Sequence, residues 1–176
     1  PKVNTPQDTI MQPTTIYGIC KVTGEMLGNY YAQKYGIDTR SIRFPGIISN
    51  VAPPGGGTTD YAVEIYYEAL RKGHYTCAVP SDVYMDMIYM PDALRSIVEL
   101  MEADPSKLKH RNSFNVASMS FTPEILAAEI RKRMPSFEMD YNVDPVKEAI
   151  ANSWPNQLDD SCAREEWGWK PQWDIS

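Results

Sequence analysis

Helical and extended patterns alternate along the chain. Residues 1–14 are polar, carry Pro1, Pro6 and Pro13, and read as a loop. Thr14 or Thr15 can then cap a helix from about Ile16 to Tyr35, with Gly36 fitting its end. Residues 39–44 (TRSIRF) read as a short strand stopped by Pro45-Gly46. Residues 49–59 (SNVAPPGGGTT) are the most loop-like stretch. Thr59 or Asp60 caps a second helix ending near Lys72, with Gly73 behind it. Residues 75–79 and 85–89 read as strands. Pro91 suits the first turn of a third helix, with Asp92 beside its positive end. Leu94, Ile97, Val98 and Met101 recur there at three- and four-residue steps and predict one buried stripe.

The rest of the chain continues the alternation. Residues 113–116 read as a strand, and Thr122-Pro123-Glu124 starts a helix with Leu126, Ile130 and Met134 on one face. Residues 137–143 fit a strand, and Asp144-Pro145 opens a short helix. Asp159 or Ser161 caps a last helix, which Gly168 stops before Pro171. Strands alternating with helices predict an α/β fold.

Composition narrows the function. The chain has 176 residues, 43% hydrophobic and 23% charged, which excludes disordered and collagen-like classes. Seventeen basic against 23 acidic residues give a net charge of −6 and a pI near 4.9. That balance argues against nucleic acid or an anionic membrane as the main partner. Mean hydropathy is −0.42 and no apolar run is long enough to span a bilayer. Cys20, Cys77 and Cys162 are odd in number, far apart and in no CxxC pair, a pattern that suits a reducing compartment and speaks against a disulfide scaffold or a thiolate zinc site. The chain opens in a loop without an initiator Met, so it is expected to be the later part of a longer protein.

Tyr17 and Lys21 are four apart at the start of the first helix and share a face. An ammonium beside a phenol favours the phenolate, so such a pair can accept a proton near neutral pH. The spacing alone says little, because Tyr30 and Lys34 repeat it. Position separates them: Tyr17 follows a polar loop and can face a cleft, whereas Tyr30 lies 13 residues on, at another face. Gly24 and Gly28 cost helix stability and suggest close approach of a neighbouring backbone.

The segment PTTIYGICKVTGEMLGNYYAQKYGIDTRSIRFPGIIS resembles the catalytic helix and following strand of extended short-chain dehydrogenases/reductases. The stretches PPGGGTTDYAVEIYYEAL, MIYMPDALRSIVELMEA, FNVASMSFTPEILAAEI, SWPNQLDD and AREEWGWKP extend the resemblance over essentially the whole chain. They narrow it to the short-chain-type L-threonine 3-dehydrogenases, a UDP-glucose 4-epimerase-like branch.

That resemblance implies a Rossmann-like doubly wound parallel sheet with a smaller C-terminal substrate domain. Residues 1–52 and 85–103 would belong to the sheet domain, and 53–84 and 104–176 to the substrate side. It implies NAD-dependent oxidation of L-threonine to 2-amino-3-oxobutyrate. Tyr17 would be the general base, and Lys21 would assist it and hold the nicotinamide ribose. Pro45, Gly46 and Ile47 would line the nicotinamide. Gly57 and Thr59 would contact the amino-acid end of the substrate, and Trp154 would wall its pocket. A homodimer through the Tyr17 helix is implied, with Gly24 and Gly28 permitting close contact. The compartment would be bacterial cytoplasm or mitochondrial matrix. The family's glycine-rich NAD turn and its Ser or Thr before the Tyr would fall upstream, so the chain resembles the C-terminal half.

Other features read more plainly. Gly55-Gly56-Gly57 could cradle a phosphate, but Thr58 stands where a P-loop needs lysine. His74 and His110 have no partner at ligand spacing, so no metal site is expected. Asp159-Asp160 reads as a helix cap, Trp167 and Trp169 as core, and Tyr61, Ile65, Tyr66 and Ala69 as a packed helix face. The basic run 107–111 reads as a solvated turn. A nucleotide-sugar epimerase or dehydratase is the rival enzyme, although the PPGGGTTD loop offers no Arg or Lys for a diphosphate. A non-catalytic dinucleotide-sensing scaffold or a dimerisation module would be the rival of another class.

Overall fold

A computed structural model describes residues 2–176. It shows the expected α/β class, with mostly parallel pairing. Helix α1 spans Ile16–Tyr35, where Thr15 accepts a hydrogen bond from the Gly18 N–H and Gly36 closes the helix in the left-handed conformation at φ 66. Strands β1 (Ile42–Arg43) and β2 (Gly46–Ile48) follow. Pro45 therefore interrupts the extended run, which resumes in a new sheet instead of ending as the sequence reading had it. A single 3-10 turn over Thr58–Asp60 leads into α2 (Tyr61–Lys72), closed by Gly73 at φ 67. Then come β3 (His74–Cys77), β4 (Met85–Tyr89) and α3 (Met90–Glu102). The second half holds β5 (Phe114–Asn115), β6 (Met119–Phe121), α4 (Pro123–Arg133) and β7 (Glu138–Tyr141). Helices α5 (Pro145–Ser153) and α6 (Ser161–Trp167) end it. The patterning did not predict β6, a three-residue strand held by its pairing with β4.

The strands form three small sheets. β1 pairs parallel with β5, placing Ile42 opposite Phe114. β2 pairs parallel with β4, placing Gly46 opposite Met87, and β6 adds to β4 antiparallel. β3 pairs parallel with β7 in the register His74 to Glu138. One core joins α2, α4, β3, β4 and β6 through Ile65, Met85, Met87, Phe121 and Leu126. A second joins Ile88, Phe114, Val116 and Trp169. Trp169 is buried in the core as expected, while Trp167 is half-buried and packs edge-to-face on Phe114 at its margin. Of the predicted α2 face, Tyr61, Ile65 and Ala69 are buried while Tyr66 is exposed.

Helix α3 reverses an expectation. Leu94, Ile97, Val98 and Met101 are 57%, 40%, 53% and 70% exposed. The helix buries Asp92, Ala93, Ser96 and Leu100 instead. Asp92 is accommodated because Arg95 Nη2 donates to Oδ1 at 2.7 Å and the Gln172 and Trp173 N–H groups donate to Oδ2 at 2.8 and 3.1 Å. A satisfied carboxylate can sit inside where an unpaired one cannot. Periodicity identified a coherent apolar stripe, but the contacts within this chain are made by the opposite side. Helix α1 likewise has no buried residue.

Gly28 also departs from its expected role. A β-carbon there would lie 3.2 Å from the Asn112 side chain, so the chain's own turn occupies the space. Gly24 has nothing within 4 Å.

Candidate active site

The N-terminal loop is fixed rather than loose. Gln7 is buried, donating to the Ser113 carbonyl at 2.6 Å and accepting from the Asn115 N–H at 2.8 Å. The Thr5 and Asp159 backbones pair at 2.8 Å, and the Asn156 N–H donates to the Lys2 carbonyl at 2.7 Å. Arg43 holds Glu25 of α1 through two hydrogen bonds of 2.9 and 2.8 Å and donates to the Gln7 carbonyl at 2.9 Å. These ties bring the start of α1 and the SWPNQL segment to the two sides of one cleft.

That cleft has a volume of ≈ 690 Å³ and is lined by Tyr17, Lys21, Ile10, Pro13 and Trp154, among others. Its size falls within the usual range for small-molecule sites. The structure thus brings together three of the expected residues, Trp154 lying 133 positions beyond Lys21 in sequence. Tyr17 is 74% exposed. The Lys21 ammonium stands 5.2 Å from the Tyr17 ring centroid, over the face. Neither side chain makes a hydrogen bond or ion pair with another described residue. The second pair of the same spacing is different: Lys34 Nζ donates to the Tyr30 hydroxyl at 2.5 Å. Tyr30 also makes an edge contact with Tyr35, so that pair is committed to its own helix.

Asp86 supports the far wall. It is buried on β4 and accepts from the Leu158 N–H at 2.8 Å through Oδ2, while Oδ1 has no partner. Burial pushes its carboxyl up to about 7 against the pull of the Leu158 and Met87 backbone, with Asp160 adding to the rise. Ser120 donates to the Asn156 carbonyl at 2.6 Å. Together they position the segment that carries Trp154. The sequence reading did not single out Asp86; a charged residue inside the apolar run MDMIY was the available signal.

A second group forms around β2. A β-carbon at Gly46 would lie 2.7 Å from Thr59 Cγ2 and closer still to the Met87 sulfur. Thr59 therefore packs against Gly46 at the start of β2. The neighbouring glycine loop is closed on itself. The Gly55 and Gly57 N–H groups both donate to Asp60 Oδ2, at 2.6 and 2.9 Å, and Gly56 takes φ 94. The amides that could cradle an external phosphate already hold a carboxylate.

The donor set of Tyr17 and Lys21, with a hydroxyl and an ammonium both available, fits the vicinal hydroxyls of a nucleotide ribose. No G-x-G-x-x-G turn lies in these 176 residues to hold a pyrophosphate.

Residues 1–117 match the model of the NAD dependent epimerase/dehydratase family. An uncharacterized epimerase/dehydratase of Staphylococcus haemolyticus is 59% identical over all of this chain and 55% of its own length. The chain spans about half the length of the curated relatives it matches. Among solved structures, an L-threonine dehydrogenase from Clostridium difficile superposes with a TM-score of 0.98 at 56% identity, over 99% of this chain and 55% of that one. A monomeric L-threonine 3-dehydrogenase from a metagenome superposes at 0.93 with 45% identity, over 100% of this chain and 56% of that one.

Proposed function

This chain belongs to the NAD dependent epimerase/dehydratase family, and on that premise we propose that it forms the catalytic and substrate-binding part of an L-threonine 3-dehydrogenase. One observation carries the reading: Tyr17 and Lys21 stand unpaired among the described residues at the mouth of a cleft whose other wall is Trp154. A second supports the substrate. The glycine loop offers no basic side chain and its amides are taken by Asp60, so it suits a small amino acid better than a sugar diphosphate.

In this reading Tyr17 Oη accepts the proton of the threonine hydroxyl as the carbon that bears it is oxidised. Lys21 supplies positive charge that favours the phenolate form which takes the proton, and donates to the ribose hydroxyls of the cofactor. NAD, when bound, supplies the hydride acceptor. Pro45, Gly46 and Ile47, at the entry to β2, line the nicotinamide, and Gly46 leaves room beside it. Gly57 and Thr59 meet the amino-acid end of threonine, and Trp154 excludes water from one side. The product is 2-amino-3-oxobutyrate. Residues 1–52 and 85–103 serve the dinucleotide side, and 53–84 and 104–176 the substrate side. The exposed apolar faces of α1 and α3 suit burial against further protein, a second copy at the Tyr17 helix included.

The test is threonine-dependent reduction of NAD by the complete reading frame, with epimerisation of a UDP-hexose run in parallel. Reduction with threonine alone supports the dehydrogenase. Epimerised sugar without threonine oxidation overturns the substrate assignment and keeps the family.

A further inference from the structure

Away from Tyr17, the turn between α3 and β5 meets α6 at a set of metal-type donors. The basic run 107–111 is not a purely solvated turn, because Leu108 is buried and the run wraps a carboxylate. Glu166, buried on α6, accepts from the Lys109 and His110 N–H groups at 2.6 and 3.0 Å through Oε2. Its Oε1 pairs with His110 Nδ1. Three bonds fix this carboxylate, and it in turn fixes the imidazole. A proton shared with Glu166 at Nδ1 leaves the Nε2 lone pair available.

His110 Nε2 faces Cys162 Sγ at 4.0 Å and Asp8 Oδ2 at 3.6 Å. In a tetrahedral zinc site with bonds of about 2.0 Å to nitrogen and oxygen and about 2.3 Å to sulfur, donor atoms stand roughly 3.3–3.6 Å apart. Both separations from Nε2 lie within about half an ångström of that arrangement, and Asp8, whose side chain is 90% exposed, is the donor that turns to close the third. Asp8 and His110 line a common surface hollow with Gln7 and Thr9, through which an ion and a completing water can enter.

We infer that His110 Nε2, Cys162 Sγ and Asp8 Oδ2 form a zinc site, with Glu166 as the carboxylate that orients the histidine. A nitrogen, a thiolate and one carboxylate select Zn²⁺ over Mg²⁺ or Ca²⁺, which take oxygen ligands. The thiol proton is released to solvent on binding. The ion would staple the N-terminal loop, the 107–111 turn and α6, three segments far apart in sequence. It takes no part in the proposed threonine chemistry, and its test does not depend on that reading.

The experiment is zinc titration of the full chain in competition with a chromophoric chelator, in a Cys20→Ser background that removes the exposed thiol. One equivalent of zinc is expected, with a rise in Tm. Cys162→Ser and Asp8→Asn should each weaken binding about tenfold or more, and Glu166→Gln about 10- to 100-fold. Cobalt in place of zinc should give a thiolate charge-transfer band that Cys162→Ser abolishes. Absence of zinc binding, or equal affinity in the parent, Cys162→Ser and Asp8→Asn, overturns the site and leaves His110–Glu166 as an ion pair. Cys162→Ser is the decisive variant, since it is conservative and far-UV circular dichroism verifies its fold.

Discussion

Thr59 stands against Gly46 so closely that a β-carbon at 46 would lie 2.7 Å from the Thr59 γ-methyl. The contact joins the start of β2 to the 3-10 turn before α2. Two substitutions should separate its roles. Gly46→Ala forces Thr59 and Met87 to move and should cost about 1–3 kcal/mol by overpacking, read as a fall in urea midpoint. Thr59→Ala relieves the contact and should leave the fold intact. In the complete enzyme it should raise the threonine KM at least about tenfold, the order expected when a charge-assisted hydrogen bond is lost, with the NAD KM nearly unchanged. Equal movement of both constants would make Thr59 a structural residue only.

Tyr17→Phe removes the hydroxyl from an exposed side chain and touches no internal hydrogen bond. Its midpoint should match the parent. Its turnover with threonine should fall about 100-fold or more, the usual worth of a positioned general base. Retained turnover in steady-state assays would remove Tyr17 from that role. Tyr30→Phe, which loses the bond to Lys34, should leave turnover unchanged.

Asp86 makes stability depend on pH in a direction opposite to that of a paired carboxylate. Unfolded, it loses its proton near 3.8; folded, near 7. Between those values the folded state holds a proton that the unfolded state does not, so stability falls as pH rises through this window. The cost is absent below about pH 4 and complete above about pH 7, on the order of 4 kcal/mol at most. Asp86→Asn should flatten the fall in urea midpoint from pH 5 to 8 and be the more stable protein at pH 8. Parallel pH profiles for the two proteins would refute this.

Asp92 clamps the C-terminal tail to α3. Asp92→Ala leaves the Gln172 and Trp173 N–H groups without their acceptor and takes one of three from Arg95, which keeps Glu99 and the Lys170 carbonyl. It should cost about 3 kcal/mol. Limited proteolysis should then cut within residues 170–176, a region spared in the parent. Unaltered digestion would show that Trp169 and the bonds from Arg95 to the Lys170 carbonyl and from Ser118 to the Trp173 carbonyl suffice to hold the tail.

Gly24 tests the dimer. Nothing lies within 4 Å of its added β-carbon, so Gly24→Ala should stabilise a lone helix by about 1 kcal/mol. Gly24→Leu should instead dissociate a dimer packed through this face, as seen by sedimentation equilibrium of the complete protein. A parent that sediments as a monomer, or a Gly24→Leu variant that remains dimeric, excludes that interface.

Short-range chemistry was legible in the chain. Thr15 and Gly36 bound α1, Gly73 ends α2, Thr122 caps α4 and Asp144 caps α5, all at the positions their residue types announce. Those features depend on dihedral preferences and on side chains that bond within three or four residues, so a linear reading reaches them. The helical face shared by Tyr17 and Lys21 was fixed in the same way. Tertiary structure decided what lies opposite each face. It placed Trp154 across from Tyr17, turned the Leu94–Met101 stripe outward, filled Gly28 with Asn112 and split the 39–48 run between two sheets. It gave His110 the Cys162 and Glu166 partners that spacing had denied it, 52 and 56 residues away. Periodicity states which side of an element seeks burial, but the returning chain supplies the partner, and that depends on loop paths with no local signature.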